Sequence, residues 1–339
     1  MAVIVTAIFA AFCHRGAGAS IANPDPAGSY SEQGVPRPHP AMLGFQYWPQ
    51  YFEIMSLISF VALIAVGTML TFRRGRWAPI LTMLAAALTL SLLDPVMNWS
   101  PYASYNPRLL HLPETWPWVR LAPTVEPIVS WLGYIYYWLV PAWALLWLYK
   151  KVVGRASVNS QSWVVRHPMV SLAIVAYPSC FLWDLMIETF LVRTGLIAYT
   201  QVIAPISLWA GQRWQYPIVM NSGFMALSIF MAASMMHRDD TGLTFPERTA
   251  AKLRACRRTP NLGTYLVTMS VMGPLFLTYL IGFGLARVAG VQDTPAQPWP
   301  YPETKVFDPQ GFYRDHGEPG PFMVGSWTGF ERDATRHRR

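Results

Sequence analysis

Charge is scarce in this chain. Asp, Glu, Lys and Arg make up 13% of the 339 residues, about half the share of an ordinary soluble domain. With 53% apolar residues and a mean hydropathy of +0.26, that scarcity argues against a cytosolic enzyme and against a disordered chain. Only three Cys occur (Cys13, Cys180 and Cys256); scattered and odd in number, they signal neither a disulfide framework nor a zinc site. The seven His are never spaced i, i+3 or i, i+4, and none falls inside an apolar run. Membrane di-iron hydroxylases, which need clustered His, and bis-His haem proteins are thereby excluded. Of the 26 basic residues only four are Lys, none within a long apolar run, so a retinal Schiff base has no site. A phosphate-cradling Gly loop, a Gly-x-Ser-x-Gly elbow and a repeat between halves are also missing, which removes nucleotide hydrolysis, serine hydrolysis and repeat-built transporters.

Six apolar segments approach the roughly 20 residues that a helix needs to cross about 30 Å of hydrocarbon. They are 52–72, 77–93, 128–149, 168–191, 216–236 and 265–288. The second is short and needs its aromatic and Pro flanks to complete it. Pro141, Pro178 and Pro274 fall mid-segment and predict kinks of the kind membrane helices tolerate. The fold expected is all-α: a polytopic membrane helix bundle of about six spans with Pro- and aromatic-rich outer loops. Residues 1–50 form an N-terminal segment, 51–290 the bundle, and 291–339 an outer C-terminal tail. Met1–Cys13 is too short to span, and fits a cleaved signal, a truncated first helix or a mis-assigned start. Segment 195–210, broken by Pro205, reads as re-entrant or interfacial.

Basic residues set the orientation. Three alternate loops hold 13 of them: Arg73, Arg74 and Arg76; Lys150, Lys151, Arg155 and Arg166; and Arg238, Arg248, Lys252, Arg254, Arg257 and Arg258. The opposite loops, 95–127 and 192–215, hold two each. The basic loops are therefore expected on the cytoplasmic side, with the N-terminal segment, both long loops and the C-terminal tail outside. The basic run 237–258 reads as an ordinary positive-inside loop, and no nucleic acid is expected as a partner.

The few acidic and amide residues beside the spans gather at the opposite, outer end. Asp94 closes the second span and Glu126 opens the third. Asp184 and Glu188, four apart, share one helix face near the end of the fourth. Gln212, Gln215 and Asn221 lead into the fifth, and Glu53 opens the first. Each alone reads as a cap or a packing partner; converging on one leaflet, they read as a functional site. Loop 95–127, with seven Pro, three Trp and two Tyr, reads as a stiff amphipathic lid over that site.

Asp94-Pro95, Asn98, Pro101, Tyr105-Asn106, Trp116, Pro123 and Glu126-Pro127 resemble the central signature of the AveC-type spirocyclases, multi-pass membrane proteins of actinobacteria. The resemblance continues through Asp184, Glu188, Arg193, Gly195 and Tyr199, then Gly211, Gln215 and Pro217, and returns at Val306, Asp308-Pro309, Gly311, Gly320-Pro321 and Trp327. It covers about residues 50 to 330. Met220 stands where the family pattern tends to carry an acid, and Trp116-Pro117-Trp118 is atypical.

The resemblance implies a cofactor-free, metal-free cyclase that closes a spiroketal from a hydroxylated ketone of polyketide, terpenoid or lipid type, sometimes with dehydration. Glu188 would act as the acid and Asp184 or Asp94 as the stabilising carboxylate. Asn98, Tyr105, Asn106, Trp116, Glu126, Arg193, Tyr199 and Gln215 would bind the substrate. The competing reading is a protein without chemistry that holds a lipid-like molecule for transport or for a partner enzyme. A channel or ion-coupled transporter needs more polar residues at mid-membrane than the spans offer. The partners expected are a hydrophobic small molecule and membrane lipid; the sequence names no protein partner.

Overall fold

The structure is a computed structural model that describes residues 12, 13, 15, 47–113, 116–156, 162–296 and 301. Helix α1 (Trp48–Arg74) starts on a Pro in its first turn and stops at Gly75, whose φ of 68° lets its N–H reach Thr71 O. Arg73 and Arg74 in its last turn suit the negative end of the helix dipole. Helix α2 (Pro79–Ser91) has 13 residues, eight of them buried. Its Ala-rich face packs against the helices around it. Leu92 and Leu93 interrupt the helical path, and α3 (Asp94–Trp99) resumes it with Asp94 in the first turn and Pro95 beside it. Helix α4 (Ile128–Ala156), the short turn α5 (Trp163–Arg166), α6 (Pro168–Arg193), α7 (Ile218–Met236), α8 (Phe245–Lys252) and α9 (Pro260–Val288) follow.

Five of these helices, α1, α4, α6, α7 and α9, are long and apolar enough to cross a membrane. The expected sixth span, 77–93, is corrected: it folds as the shorter α2, about 20 Å long at 1.5 Å per residue. Helices α4, α6 and α9 continue through Pro141, Pro178 and Pro274. The main core sits between α2, α4, α6, α7 and α9, around fully buried Trp138, Phe276, Phe283 and Met83. The rings of Tyr134, Trp138 and Phe276 meet edge to face with centroids 5.6–5.8 Å apart, a favoured arrangement.

Segment 195–210, expected as re-entrant or interfacial, is built of short strands and turns. Gly195, at φ 71°, ends α6, and the chain then forms strands β2 (Ile197–Tyr199) and β3 (Gln201–Val202) and a 3-10 turn around Pro205. Strand β1 (Ala103–Tyr105) pairs antiparallel with β2, Ala103 opposite Tyr199. Strand β4 (Thr294–Pro295) pairs with β3. The loop after α3, the loop after α6 and the chain after α9 are thus knitted into one roof. Tyr102 holds a positive φ of 58° in this roof, where its carbonyl accepts from both the backbone N–H and the hydroxyl of Thr200. That conformation costs a non-glycine residue about 1–3 kcal/mol and persists only where its surroundings fix it.

At the other end α8 opens with a capping box, Thr244 and Glu247. Arg74 donates to the Glu247 carboxylate at 3.1 Å, and Trp77 N–H donates to Asn261 Oδ1 at 3.0 Å. Gly263 lets α9 pass close to the turn at Arg254–Cys256: a Cβ there would stand 2.5 Å from Cys256 Cβ and 3.2 Å from Ala250 Cβ. Gly263→Ala is expected to lose about 1–3 kcal/mol through overpacking. Thermal unfolding in detergent checks this, and an unchanged midpoint would mean that the turn yields freely.

Candidate functional site

Two pairs of carboxyl groups lie under the roof. In the first, Asp94 comes from the start of α3 and Glu126 from the residues leading into α4; they are 2% and 0% exposed. Asn98, one turn along α3, donates to Asp94 Oδ2 at 3.2 Å and to Glu126 Oε2 at 3.1 Å. Tyr134 donates to Asp94 Oδ1 at 2.6 Å, while Trp131 Nε1 and Ser130 donate to Glu126 Oε1 at 2.7 and 3.2 Å. Burial pushes the Glu126 carboxyl well above its ordinary range, the Asp94 carboxyl beside it adds to the rise, and the Trp131 and Ser130 bonds oppose it. The Asn98 amide bridges the two carboxyl groups.

The second pair, Asp184 and Glu188, sits one helical turn apart on α6. Tyr199 of β2 donates to Glu188 Oε2 at 3.0 Å. Tyr216, just ahead of α7, donates to Asp184 Oδ2 at 2.6 Å and lies 2.6 Å from Ser222 Oγ. Asn221 donates to the Tyr216 hydroxyl at 3.1 Å and accepts from Tyr279 of α9 at 2.8 Å. Asp184 Oδ1 has no hydrogen-bond partner among the described residues.

One cavity of about 110 Å³ joins the pairs. Its lining includes Asp94 and Asn98 of α3, Glu188 of α6, Tyr199 of β2 and Asn221 of α7, with the aromatic rings of Phe276, Tyr134, Tyr137 and Tyr279. Each lining carboxyl has a second carboxyl behind it: Glu126 behind Asp94, and Asp184 behind Glu188. Tyr105 of β1 also lines the cavity. Burial, with Asp94, Glu188 and Glu126 nearby, pushes its hydroxyl well above 10, so it stays protonated and able to donate.

Of the residues singled out in the sequence, Asp94, Asn98, Tyr105, Glu188, Tyr199 and Asn221 face the cavity. The others lie elsewhere. Asn106 donates to Gly195 O at 2.9 Å and accepts from Arg108 N–H at 2.9 Å, which ties two roof loops together. Gln215, fully buried, accepts from Gly211 N–H and donates to Tyr199 O and Thr294 O, clasping β4 to the roof. Arg193 lies over the rings of Trp209 and Trp214, 4.2 and 4.8 Å from their centroids. Trp116 packs among Leu112, Val119 and their neighbours. Glu53 accepts from Leu110 N–H at 2.6 Å and pairs with Arg15. Met220, where an acid was expected, packs against the main core beside Asn221. Glu114 and the tail positions 306–327 lie outside the described residues. Sequence reasoning missed Tyr134, Tyr137, Tyr216 and Tyr279; the signal was present in Ser130, Tyr134 and Tyr137, which repeat at helical spacing within one span. Among the described residues no group of three or more His, Cys, Asp or Glu could hold a metal ion.

Helices long and apolar enough to cross a membrane, with carboxyl pairs buried around an aromatic cavity at one end, define the class: a helical membrane-type protein with carboxyl groups set in an apolar pocket. A family profile described as "Spirocyclase AveC-like" matches residues 72–307, more than two thirds of the chain, and the protein belongs to that family. No curated protein and no solved structure matches the chain.

Two measurements check the network. A raised folded-state carboxyl contributes its stability in full below the unfolded value, near 4.5 for Glu126, and loses it as pH rises toward the folded value. Glu126→Gln is therefore expected to flatten the fall of thermal stability as pH rises above about 4.5; a slope equal to wild type would show that the Glu126 carboxyl does not carry it. Tyr216→Phe takes a donor from Asp184 and an acceptor from Asn221. It is expected to cost about 1–3 kcal/mol, read as a lower unfolding midpoint in detergent, and an unchanged midpoint would show that the network bears no structural weight.

Proposed function

We propose that this protein is a membrane-embedded cyclase that closes a spiroketal-type ring on a hydrophobic hydroxylated ketone without a cofactor. The observation that carries the reading is that Asp94 and Glu188, from two different helices, both line one aromatic-walled cavity. Family membership supports the reaction type. Glu188 is assigned the proton donor. It protonates the hydroxyl of a hemiketal, the C–O bond breaks, water leaves, and an oxocarbenium ion remains. Asp94, which accepts from Tyr134 and Asn98, is assigned the carboxylate that stabilises this cation and takes the proton from the second hydroxyl as the new C–O bond forms. Proton transfer from Asp94 back to Glu188 through the cavity restores the starting state. The faces of Tyr134, Tyr137 and Tyr279 add attraction for a positive charge.

Asp184 and Glu126 are positioning groups in this scheme, because neither lines the cavity. Tyr105, whose hydroxyl remains a donor, orients a substrate oxygen. The roof is placed on the extracytoplasmic side, because the basic loops gather at the other end, and the membrane is read as a bacterial cytoplasmic membrane.

The test is lipid-extract mass spectrometry on protein purified in mild detergent. Wild type is expected to retain a cyclised or dehydrated molecule. Correctly inserted Glu188→Gln and Asp94→Asn are expected to retain its uncyclised precursor, with turnover lowered by about 10²–10⁴. Tyr105→Phe is expected to bind the precursor more weakly and to turn it over more slowly. If wild type and both carboxyl variants hold the same unchanged molecule, the protein is a carrier and the cyclase reading falls.

A further inference from the structure

A second cavity, of about 300 Å³, lies at the opposite end of the bundle. It is lined by Arg76 and Trp77 from the turn before α2, Glu247 of α8, Arg257, and Asn261 and Thr264 of α9. None of these residues takes part in the site under the roof. The Glu247 carboxylate is already matched, at 3.1 Å by Arg74 and at 3.5 Å by Arg76 Nε. Arg257, exposed on the rim, pairs with no carboxylate among the described residues. The cavity therefore presents guanidinium groups beyond those its own carboxylate neutralises, and guanidinium is the group best suited to grip a phosphate in two-point fashion.

The surroundings extend this chemistry. Arg73, Arg238, Lys252, Arg254 and Arg258 stand at the same end of the bundle, whose attractive potential for anions they raise. Beside the cavity, Leu262 and Leu266, four apart on α9, are 51% and 50% exposed, and Leu253 is 47% exposed. A hollow lined by two arginines, with exposed leucines on the same helix α9, matches the two-part chemistry of a lipid: charged head inside, acyl chain along the helix. Trp77 at the mouth suits the headgroup level.

We propose that this cavity binds the phosphate of an anionic phospholipid, with the acyl chains lying against Leu262 and Leu266 of α9. Such a lipid bridges the turn before α2, α8 and α9, the three elements that close the basic end of the bundle.

Native mass spectrometry and thermal unfolding test it on the full chain in neutral detergent, with phosphatidylglycerol, phosphatidylcholine or inorganic phosphate added. Wild type is expected to retain phosphatidylglycerol roughly tenfold better than phosphatidylcholine and to gain thermal stability from it. Arg257→Gln, on the exposed rim and outside the Glu247 pairing, is expected to lower that retention by about fivefold. Arg76→Gln is expected to lower it similarly. Lys151→Gln changes a basic residue packed on Trp147 at 3.7 Å, outside the cavity, and is expected to leave retention unchanged. A loss with Lys151→Gln equal to that with Arg257→Gln would reduce the effect to general surface charge and overturn the site. Stabilisation by inorganic phosphate as strong as by phosphatidylglycerol would assign the cavity to a soluble phosphate and overturn the lipid. Equal retention of both lipids by wild type would also overturn it.

Discussion

The Asn98 side-chain amide donates both its hydrogens to carboxyl groups, one to Asp94 and one to Glu126. In an apolar bundle an unpartnered carboxyl costs several kcal/mol, so each acid here is stable only where donors from other elements reach it. That demand fixes much of the architecture around the site. It draws α3 to the start of α4 through Asn98, Tyr134 and Ser130, and the end of α6 to α7 through Tyr216 and Asn221. Tyr279 brings in α9, and Tyr199 brings in the roof. The helices are joined at one end by the solvation of four acids, and the apolar core below supplies the rest of the packing.

The long spans were readable because a membrane imposes length and composition directly: α1, α4, α6, α7 and α9 all stand where uninterrupted apolar runs predict them. The shorter α2 was overextended because composition reports apolarity, not whether lipid or protein surrounds it. Leu92 and Leu93 look as helical as the residues before them, yet the chain breaks there to present Asp94 at a fresh helix start. Strands β1 to β4 were not legible at all. They are two or three residues long and owe their pairing to contacts between loops nearly a hundred positions apart, a distance at which local periodicity carries no information.

The candidate site was legible by residue type and less so by role. Acids and amides stand out against an apolar background, so Asp94, Asn98 and Glu188 were found. Whether such a residue faces a cavity or clasps a loop depends on backbone geometry. Gln215 and Asn106 turn toward carbonyls and N–H groups of the roof, and Arg193 lies on two indoles. Tyr134, Tyr137, Tyr216 and Tyr279 were overlooked for the opposite reason: in a membrane sequence a Tyr reads as interfacial aromatic, and its hydroxyl gains meaning only once an acid is seen beside it. Asn221 and Tyr279 show that polar groups within the spans serve the same network.

Strand β4 and Tyr301, which donates to Gly195 O at 3.1 Å, follow α9, the last long helix among the described residues. During synthesis the bundle can assemble up to α9 while the roof still lacks the segment that Gln215 grips. A nascent or prematurely terminated chain would therefore carry its carboxyl pairs beneath an incomplete cover, and closure of the cavity is tied to translation having passed the final span.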